Sequence, residues 1–192
     1  MTHHRLPSLR CLCAASCLLA ATPVANAQAL DPDLMQTRQQ FQTQLNKQAA
    51  LGYLLYLPPN YDVKAAKPWP LILFLHGSGE RGTNLAQVSV HGPPKLVKKN
   101  PPVPKTETDA ARKDRETATK LLTEKFVIVS PQCPADQVWD SDALLGLLDR
   151  VQASHKVDTN SVYLTGLSMG GYGSWALLAK APERFAAIAP IC

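Results

Sequence analysis

A Gly-x-Ser-x-Gly sequence at residues 166–170 is the part of this chain best suited to do chemistry. It follows a β-branched and aromatic run, Ser161–Leu164, and it precedes Tyr172–Lys180, whose composition favours a helix. The pattern predicts a strand, a sharp turn and a helix, with Ser168 on the turn. The flanking glycines have no β-carbon to crowd that bend. Because such a turn lifts a hydroxyl above the edge of a sheet, we predict that Ser168 is a nucleophile.

A second motif, His76-Gly77-Ser78-Gly79, follows directly after the apolar run Leu71–Leu75. If its loop faces the serine turn, the backbone N–H groups of Ser78 and Met169 would together hold the oxyanion of a tetrahedral intermediate. The two motifs occur in the order and context that such a site requires. The alternative is an ordinary α/β fold with chance glycines. His76 precedes the serine, so we expect it to be structural rather than a catalytic base.

Three residues near these motifs are candidates for substrate binding, each with a structural alternative. Arg81 either contacts substrate or forms an ion pair with Glu80 inside the loop. His91 starts a predicted helix, with proline in the first turn, and either contacts substrate or lies at the rim of the site. Trp139 either forms a floor for an apolar or sugar ring or fills the core. His155 lies beyond a predicted helix, and we expect no catalytic role for it.

Alternating strands and helices must position these residues. Continuous apolar runs at Leu71–Leu75, Phe126–Val129, Ser161–Leu164 and Phe185–Ile191 predict strands that are buried on both faces of a parallel sheet. An antiparallel pair, Phe41–Leu45 and Leu51–Leu57, precedes them. Between the runs, Ser141–Ala153 has helical spacing and a cap at Asp140 or Ser141. The predicted fold class is therefore an α/β sandwich with a mostly parallel sheet and helices on both faces, and the chemistry should gather at the carboxyl ends of the strands.

The segment Lys105–Lys125 interrupts this alternation with mixed charges. It follows a proline-rich linker at residues 100–104, so the insertion covers about residues 101–125. We predict a solvated helix or loop, and the functional alternative is a lid over the site. The predicted organisation is a signal peptide at 1–27, an amino-terminal segment with an edge strand at 28–50, and a partial catalytic domain at 51–192.

The amino end has the charge order of a secretory signal peptide. Arg5 and Arg10 precede a mostly apolar run, Cys11–Ala21, which is too short to span a bilayer, and Ala25-Asn26-Ala27 has the form of a cleavage site. We predict cleavage after Ala27 and export to a periplasm or beyond. The alternatives are a buried helix and, less well matched, lipid attachment at Cys17. Cys133 and Cys192 then remain, either paired in an oxidising compartment or, as we favour, as unpaired buried thiols.

Composition narrows the classes of partner. The full chain is 45% hydrophobic with a net charge of +5, and loss of residues 1–27, which hold two arginines and no acid, lowers this to +3. That charge is too mild to argue for nucleic acid, and no basic stripe with interleaved aromatics occurs. The sequence of the mature chain also holds no apolar span that would place it in a membrane. We expect no nucleic-acid or membrane partner for the mature form.

Five segments carry a family resemblance: Tyr53–Pro58, Leu73–Gly82, Val90–Lys95, Ser130–Pro134 and Tyr163–Gly173. In these the chain resembles the bacterial predicted-peptidase or phospholipase/carboxylesterase-like group of α/β-hydrolases, which is related to polyhydroxybutyrate depolymerases and feruloyl or acetyl-xylan esterases. The resemblance runs over about residues 51–192 with the insertion excepted. It implies a Ser-Asp-His triad, no metal and no cofactor. Only the serine carries over, onto Ser168, and the motifs do not specify a substrate.

The order of a hydrolase triad leads to an expectation about this chain. The acid and then the histidine follow the serine in α/β-hydrolases. The 24 residues after Ser168 contain no Asp or His, and Glu183 is their one acid. We therefore expect a chain that lacks the last strands and has little activity alone. The leading hypothesis is a secreted carboxylesterase acting on a small-molecule or polymer ester. The alternatives are a serine peptidase of the same fold and an inactive binding remnant.

Overall fold

A computed structural model describes residues 30–44 and 48–192, and the predicted signal peptide lies outside these ranges. The described residues form one sheet in the order β1-β2-β3-β5-β4-β6-β7. Its strands are β1 Leu30–Asp31, β2 Gln36–Gln44, β3 Gln48–Tyr56, β4 Trp69–Leu75, β5 Val127–Pro131, β6 Val157–Leu167 and β7 Ala187–Ile191. The helices are α1 Gly92–Leu96, α2 Asp109–Lys125, α3 Ser141–Ser154 and α4 Met169–Lys180, with 3₁₀ turns at Ser78–Glu80, Leu85–Ser89 and Pro182–Arg184.

The sheet has an antiparallel part and a parallel part. β1, β2 and β3 pair antiparallel, and β3 pairs antiparallel with β5. β5, β4, β6 and β7 are parallel neighbours. This confirms the predicted class and the early antiparallel pair. It also brings the carboxyl ends of β4, β5 and β6 to the same edge, where ligands bind in open α/β sheets.

Helices cover both faces of the sheet. On one face, the leucines of β4 at 71, 73 and 75 pack with the apolar positions of α3, including Leu144 and Leu147. On the other, Tyr56, Val97 and Ile128 form a separate cluster. The α3 prediction is confirmed, because the Asp140 side chain accepts hydrogen bonds from the amides of residues 142 and 143 and so caps the helix.

The insertion contains α2, whose N-cap is Thr108 and whose residues are all at least partly exposed. This is the solvated helix predicted from its mixed charges. Leu122 packs beside the cluster around Tyr56, and the Tyr56 hydroxyl donates to the carbonyl of Thr123. The carboxyl-terminal end of α2 therefore packs against the face of the sheet that carries the cluster of Tyr56, Val97 and Ile128.

One expectation about the strands is wrong. The run ending at Ile191 was expected to be buried on both faces, but β7 lies at the edge of the described sheet, and Ala187, Ala189 and Ile191 are exposed. An apolar composition does not show whether a strand is covered on both faces or on only one, and alternate residues of β7 are exposed. The first strand of the early pair is also longer than predicted, because β2 begins at Gln36.

Candidate active site

Ser168 lies on a strained turn between β6 and α4. Its backbone angles are φ 54° and ψ −115°, in the positive-φ region that side chains rarely adopt. The Ser168 amide donates to the carbonyl of Ile191 at 2.6 Å, and its carbonyl accepts from Gly171 at 2.8 Å and Tyr172 at 3.1 Å. These bonds fix the turn from both sides, and the Ser168 side chain is left exposed at the carboxyl end of β6.

Glycines allow the elements around this turn to approach closely. A β-carbon on Gly166 would overlap the carbonyl oxygen of Gly170, and one on Gly170 would overlap the carbonyl oxygen of Leu75. A β-carbon on Gly173 would lie 2.7 Å from Cδ1 of Trp139. The glycines in the first turn of α4 weaken the helix by about 1 kcal/mol each relative to alanine. The close packing of α4 against β4 and Trp139 explains why they are nevertheless present.

The loop after β4 lies against the serine. A β-carbon on Gly77 would be 3.7 Å from Cβ of Ser168, so the Gly77–Ser78 peptide borders the turn. Ser78 begins a 3₁₀ turn and Met169 begins α4. Amides at such positions have no partner inside their helix. Within residues 30–44 and 48–192, neither the Ser78 nor the Met169 amide donates a hydrogen bond.

His76 is enclosed beneath this loop. Its ring is fully buried, Nδ1 lies 2.6 Å from the carbonyl oxygen of Gly77, and Nε2 accepts from the Cys133 amide at 3.0 Å. Burial lowers the pKa of His76. Because Nε2 accepts, the ring is neutral with its proton on Nδ1. Both nitrogens are occupied, so the ring has no free position at which to take a proton from Ser168.

The expected ion pair between Glu80 and Arg81 is wrong. In the described structure the Glu80 carboxylate, only 12% exposed, lies 4.0 Å from Nδ1 of His76 and 3.7 Å from Nε2 of His91. Arg81 instead donates to two carbonyl oxygens, that of Ser78 at 3.0 Å and that of Gln137 at 3.2 Å. Arg81 thus links the loop after β4 to the loop after β5.

Gln132 makes a second link between these loops, and the sequence analysis assigned it no role. Its buried side-chain amide donates to the carbonyls of Glu80 at 2.8 Å and Asn84 at 3.0 Å. The Gly82 amide also donates to the carbonyl of Cys133 at 2.9 Å. The available signal was the Ser130–Pro134 segment that carries the family resemblance. A buried donor with two backbone acceptors holds a loop in one conformation.

His91 and Trp139, the other candidates, differ in exposure. His91 is the N-cap of α1, with proline in the first turn, and its side chain is half-exposed beside Glu80. Trp139 is 8% exposed, and its indole donates to the His76 carbonyl at 3.2 Å. Its ring contacts that of His76 edge-on, with 4.8 Å between centroids. Trp139 therefore belongs to the core, and one side of it also borders the cavity at Ser168.

That cavity is a cleft of about 360 Å³ between α4 and the loop after β5. Val138 and Tyr172 form its outer walls and are 72% and 68% exposed. The described residues that line it carry no charge, and none of them comes from α2; they are Val138, Trp139, Ser168, Met169, Tyr172, Gly173 and Ala176. A second cavity of about 400 Å³ lies beyond Val138 and Trp139 and is bordered by Ala49, Gln137 and Asp140, among others.

The remaining titratable candidates lie away from the serine or are inert. His155 lies between α3 and the start of β6, and its ring is tilted relative to that of Tyr61, with 6.4 Å between the centroids. Cys133 and Cys192 are both free thiols. Burial raises the pKa of Cys133 to about 11. Cys192, expected to be buried, is exposed because it follows the edge strand β7.

Among the described residues, no group of three or more His, Cys, Asp or Glu residues has the arrangement of a metal site. No helix in the described ranges is both long and apolar enough to cross a bilayer.

The sheet order and the serine turn define an α/β-hydrolase fold. Residues 48–192 match the family model described as "Putative esterase", and the chain belongs to this esterase family. A thermostable esterase of known structure is 24% identical with a TM-score of 0.59, over 84% of this chain and 42% of that one. A ferulic acid esterase is 14% identical with a TM-score of 0.55, over 80% and 57%. At these identities the likeness shows the fold alone.

The chain spans about half the length of these solved structures. No curated protein matches it significantly.

Proposed function

We propose that Ser168 is the nucleophile of a serine hydrolase that cleaves carboxylic esters through an acyl-enzyme. The observation that supports this proposal is the short distance between Gly77 and Ser168: a β-carbon on Gly77 would lie 3.7 Å from Cβ of Ser168, so the peptide that carries the Ser78 amide borders the serine turn. Membership of the esterase family supports the reaction class. The positive φ of Ser168 supports a functional role, because backbone strain of this kind concentrates at active sites.

The chemistry follows from these groups. The Ser168 oxygen attacks the ester carbonyl and gives its proton to a base, and the carbonyl oxygen becomes an oxyanion. The Ser78 and Met169 amides donate to that oxygen, and the positive end of α4 favours the same charge. Collapse of the intermediate expels the alcohol, which takes up a proton, and leaves an acyl group on Ser168. Water then attacks the acyl group by the same steps and releases the acid.

The base is the part of this mechanism that the described residues do not supply. Among them, no histidine is hydrogen-bonded to the Ser168 hydroxyl, and His76 is occupied at both nitrogens. A serine hydroxyl without a base is a weak nucleophile. We therefore propose that the 192-residue chain turns over esters slowly and that the whole protein needs a histidine and an acid from elsewhere. Rapid turnover of p-nitrophenyl acetate that Ser168→Ala abolishes would contradict this part.

A matched pair of variants tests the oxyanion site. Ser78→Pro removes the amide proton, and proline suits this position because Ser78 opens a 3₁₀ turn and Gly77 is extended. Ser78→Ala keeps the amide and removes only the hydroxyl. Loss of one oxyanion donor costs about 10²–10³-fold in rate. We expect Ser78→Pro to slow the reaction of Ser168 with a fluorophosphonate by this factor and Ser78→Ala to leave that rate unchanged. Equal rates in both variants would exclude the Ser78 amide from the site.

Substrate profiling separates the esterase from the two alternatives. A peptidase of the same fold would cleave anilides or peptides at rates comparable to esters. A binding remnant would retain affinity for a polyester or xylan and form no adduct at Ser168. We propose the esterase because the family model that matches the chain is described as an esterase.

We also propose that the protein is exported, since residues 1–27 have the charge order and cleavage site of a signal peptide. Intact-mass measurement of the secreted form tests this. The expected amino terminus is Gln28, and a mature form that retains Arg5 and Arg10 would contradict it.

A further inference from the structure

Two of the apolar side chains that line the cleft at Ser168 are largely exposed to solvent. Val138 and Tyr172 expose about seven-tenths of their surface on opposite sides of it, and Ser168 itself lies in its wall. Adjacent exposed apolar residues that border a cavity mark binding sites, whereas singly scattered ones do not. Because Ser168 lines the cleft, a group bound there would belong to the same molecule as the carbonyl that Ser168 attacks.

The chemistry of the lining defines the occupant. Besides the two exposed walls, the cleft is formed by Trp139, Met169 and Ala176, with no charged side chain among the described lining residues. The indole nitrogen of Trp139 is already committed to the His76 carbonyl. A charged group placed here would find no oppositely charged partner among the described lining residues, whereas an apolar group would remove the exposed surfaces of Val138 and Tyr172 from water. The cleft thus selects for an uncharged apolar group.

The size of the cleft limits that group. At the roughly 30 Å³ that one water occupies in the liquid, 360 Å³ corresponds to about a dozen non-hydrogen atoms. A formyl or acetyl group would leave most of the cleft unfilled. An arylalkyl or branched alkyl group would reach both Val138 and Tyr172.

We propose that this cleft is a specificity subsite for an uncharged arylalkyl or branched alkyl substituent of the ester, with Val138 and Tyr172 as its determinants. The inference rests on the proposed function, because it takes the bound molecule to be an ester that Ser168 cleaves. The substituent belongs either to the acid or to the alcohol of the ester, and the experiment below separates these two sources.

Equilibrium binding tests the subsite without requiring turnover. The full chain with Ser168→Ala is titrated with 4-phenyl-2-butanone, an uncharged ketone, and with 4-(3-oxobutyl)benzoate, the same ketone with a carboxylate on its ring, so that the charge lies in the cleft and not at the oxyanion amides. We expect saturable binding of the ketone at about millimolar concentration and at least tenfold weaker binding of the anion. Equal affinity for both, or no saturation by the ketone, would overturn the proposal.

Matched variants locate the site. Val138→Asp places a charge in the wall, and Val63→Asp makes the same change at a valine that is 59% exposed in the loop between β3 and β4. Loss of an apolar contact, together with a charge beside the bound ring, should weaken ketone binding at least tenfold in Val138→Asp. Val63 does not line the cleft, so Val63→Asp should leave ketone binding unchanged. Tyr172→Ala should also weaken it, with Trp175→Ala as the control on the same helix. Equal effects of Val138→Asp and Val63→Asp would refute the subsite.

Two further arms complete the design. The effect of Val138→Asp on cleavage of methyl 3-phenylpropanoate and of 2-phenylethyl acetate assigns the cleft to the acid or to the alcohol. A fluorophosphonate then tests Ser168 independently of the subsite. Ketone binding that depends on Val138, without any Ser168 adduct, would contradict the proposed function alone. A Ser168 adduct with ketone binding that is indifferent to Val138 would contradict the subsite alone.

Discussion

The strained turn at Ser168 predicts that two variants without the nucleophile, Ser168→Ala and Ser168→Gly, will differ in stability. Ser168→Ala keeps a β-carbon at φ 54°, whereas Ser168→Gly does not. Backbone strain in a sparsely populated region costs about 1–3 kcal/mol. Glycine returns part of this, about 0.5–1 kcal/mol, through the greater entropy of the unfolded chain. We expect Ser168→Gly to be more stable than Ser168→Ala by about 1 kcal/mol.

Urea denaturation of the two variants measures the difference, since both lack the hydroxyl. For a domain of this size, 1 kcal/mol corresponds to about 2–4 °C in melting temperature. A control on the same helix is Ala176→Gly, which should be destabilising by about 1 kcal/mol because Ala176 lies inside α4. If Ser168→Gly proves no more stable than Ser168→Ala, the turn stores no strain and the argument from its backbone angles fails.

Three other predictions concern the surroundings of the site. Gly170→Ala should lower the unfolding free energy by about 1–3 kcal/mol or more, because its β-carbon would overlap a strand carbonyl. Gly79→Ala, whose β-carbon would have nothing within 4 Å, should be nearly neutral, and similar urea midpoints for the two variants would contradict the close approach. Iodoacetamide should alkylate the exposed Cys192 in the folded chain and should alkylate Cys133 only after the chain is unfolded, because burial raises the pKa of Cys133 to about 11. Peptide mapping that finds equal modification of both cysteines in the folded chain would contradict this prediction. Because burial lowers the pKa of both His76 and His155 in the folded state, protonation favours the unfolded chain, so the unfolding free energy should fall as the pH drops below the ordinary value of 6.5. A flat profile from there down to about pH 5 would count against it.

Local patterns were sufficient for the elements that hold the serine. The glycines at 166 and 170 predicted the turn, because only a residue without a β-carbon fits where α4 meets β4. The apolar runs that became β4, β5 and β6 were also recognisable, since parallel strands are covered on both faces. The order of the strands could not be read in this way. β5 lies between β3 and β4 although it follows both in sequence, and that depends on long-range packing.

The contacts of the site were less accessible to sequence reasoning. Glu80 was assigned to its neighbour Arg81, but its carboxylate lies beside the imidazole of His76 in the same loop and that of His91 at the start of α1. Gln132 lies about fifty residues from the carbonyls that it binds, so no local spacing could reveal it. Val138 is an ordinary loop residue in sequence. Its importance appears only when α4 is seen on the opposite side of the cleft.

The most direct test of the account is the rate at which a fluorophosphonate modifies Ser168 in the folded chain and in the same chain unfolded in urea. An oxyanion site and substrate binding leave about 10³-fold acceleration even where a triad is incomplete. We predict that tandem mass spectrometry will find the adduct on Ser168, formed about 10³-fold faster in the folded chain. An adduct on another residue, or equal rates in the folded and unfolded chain, would contradict the claim that this turn presents an activated site.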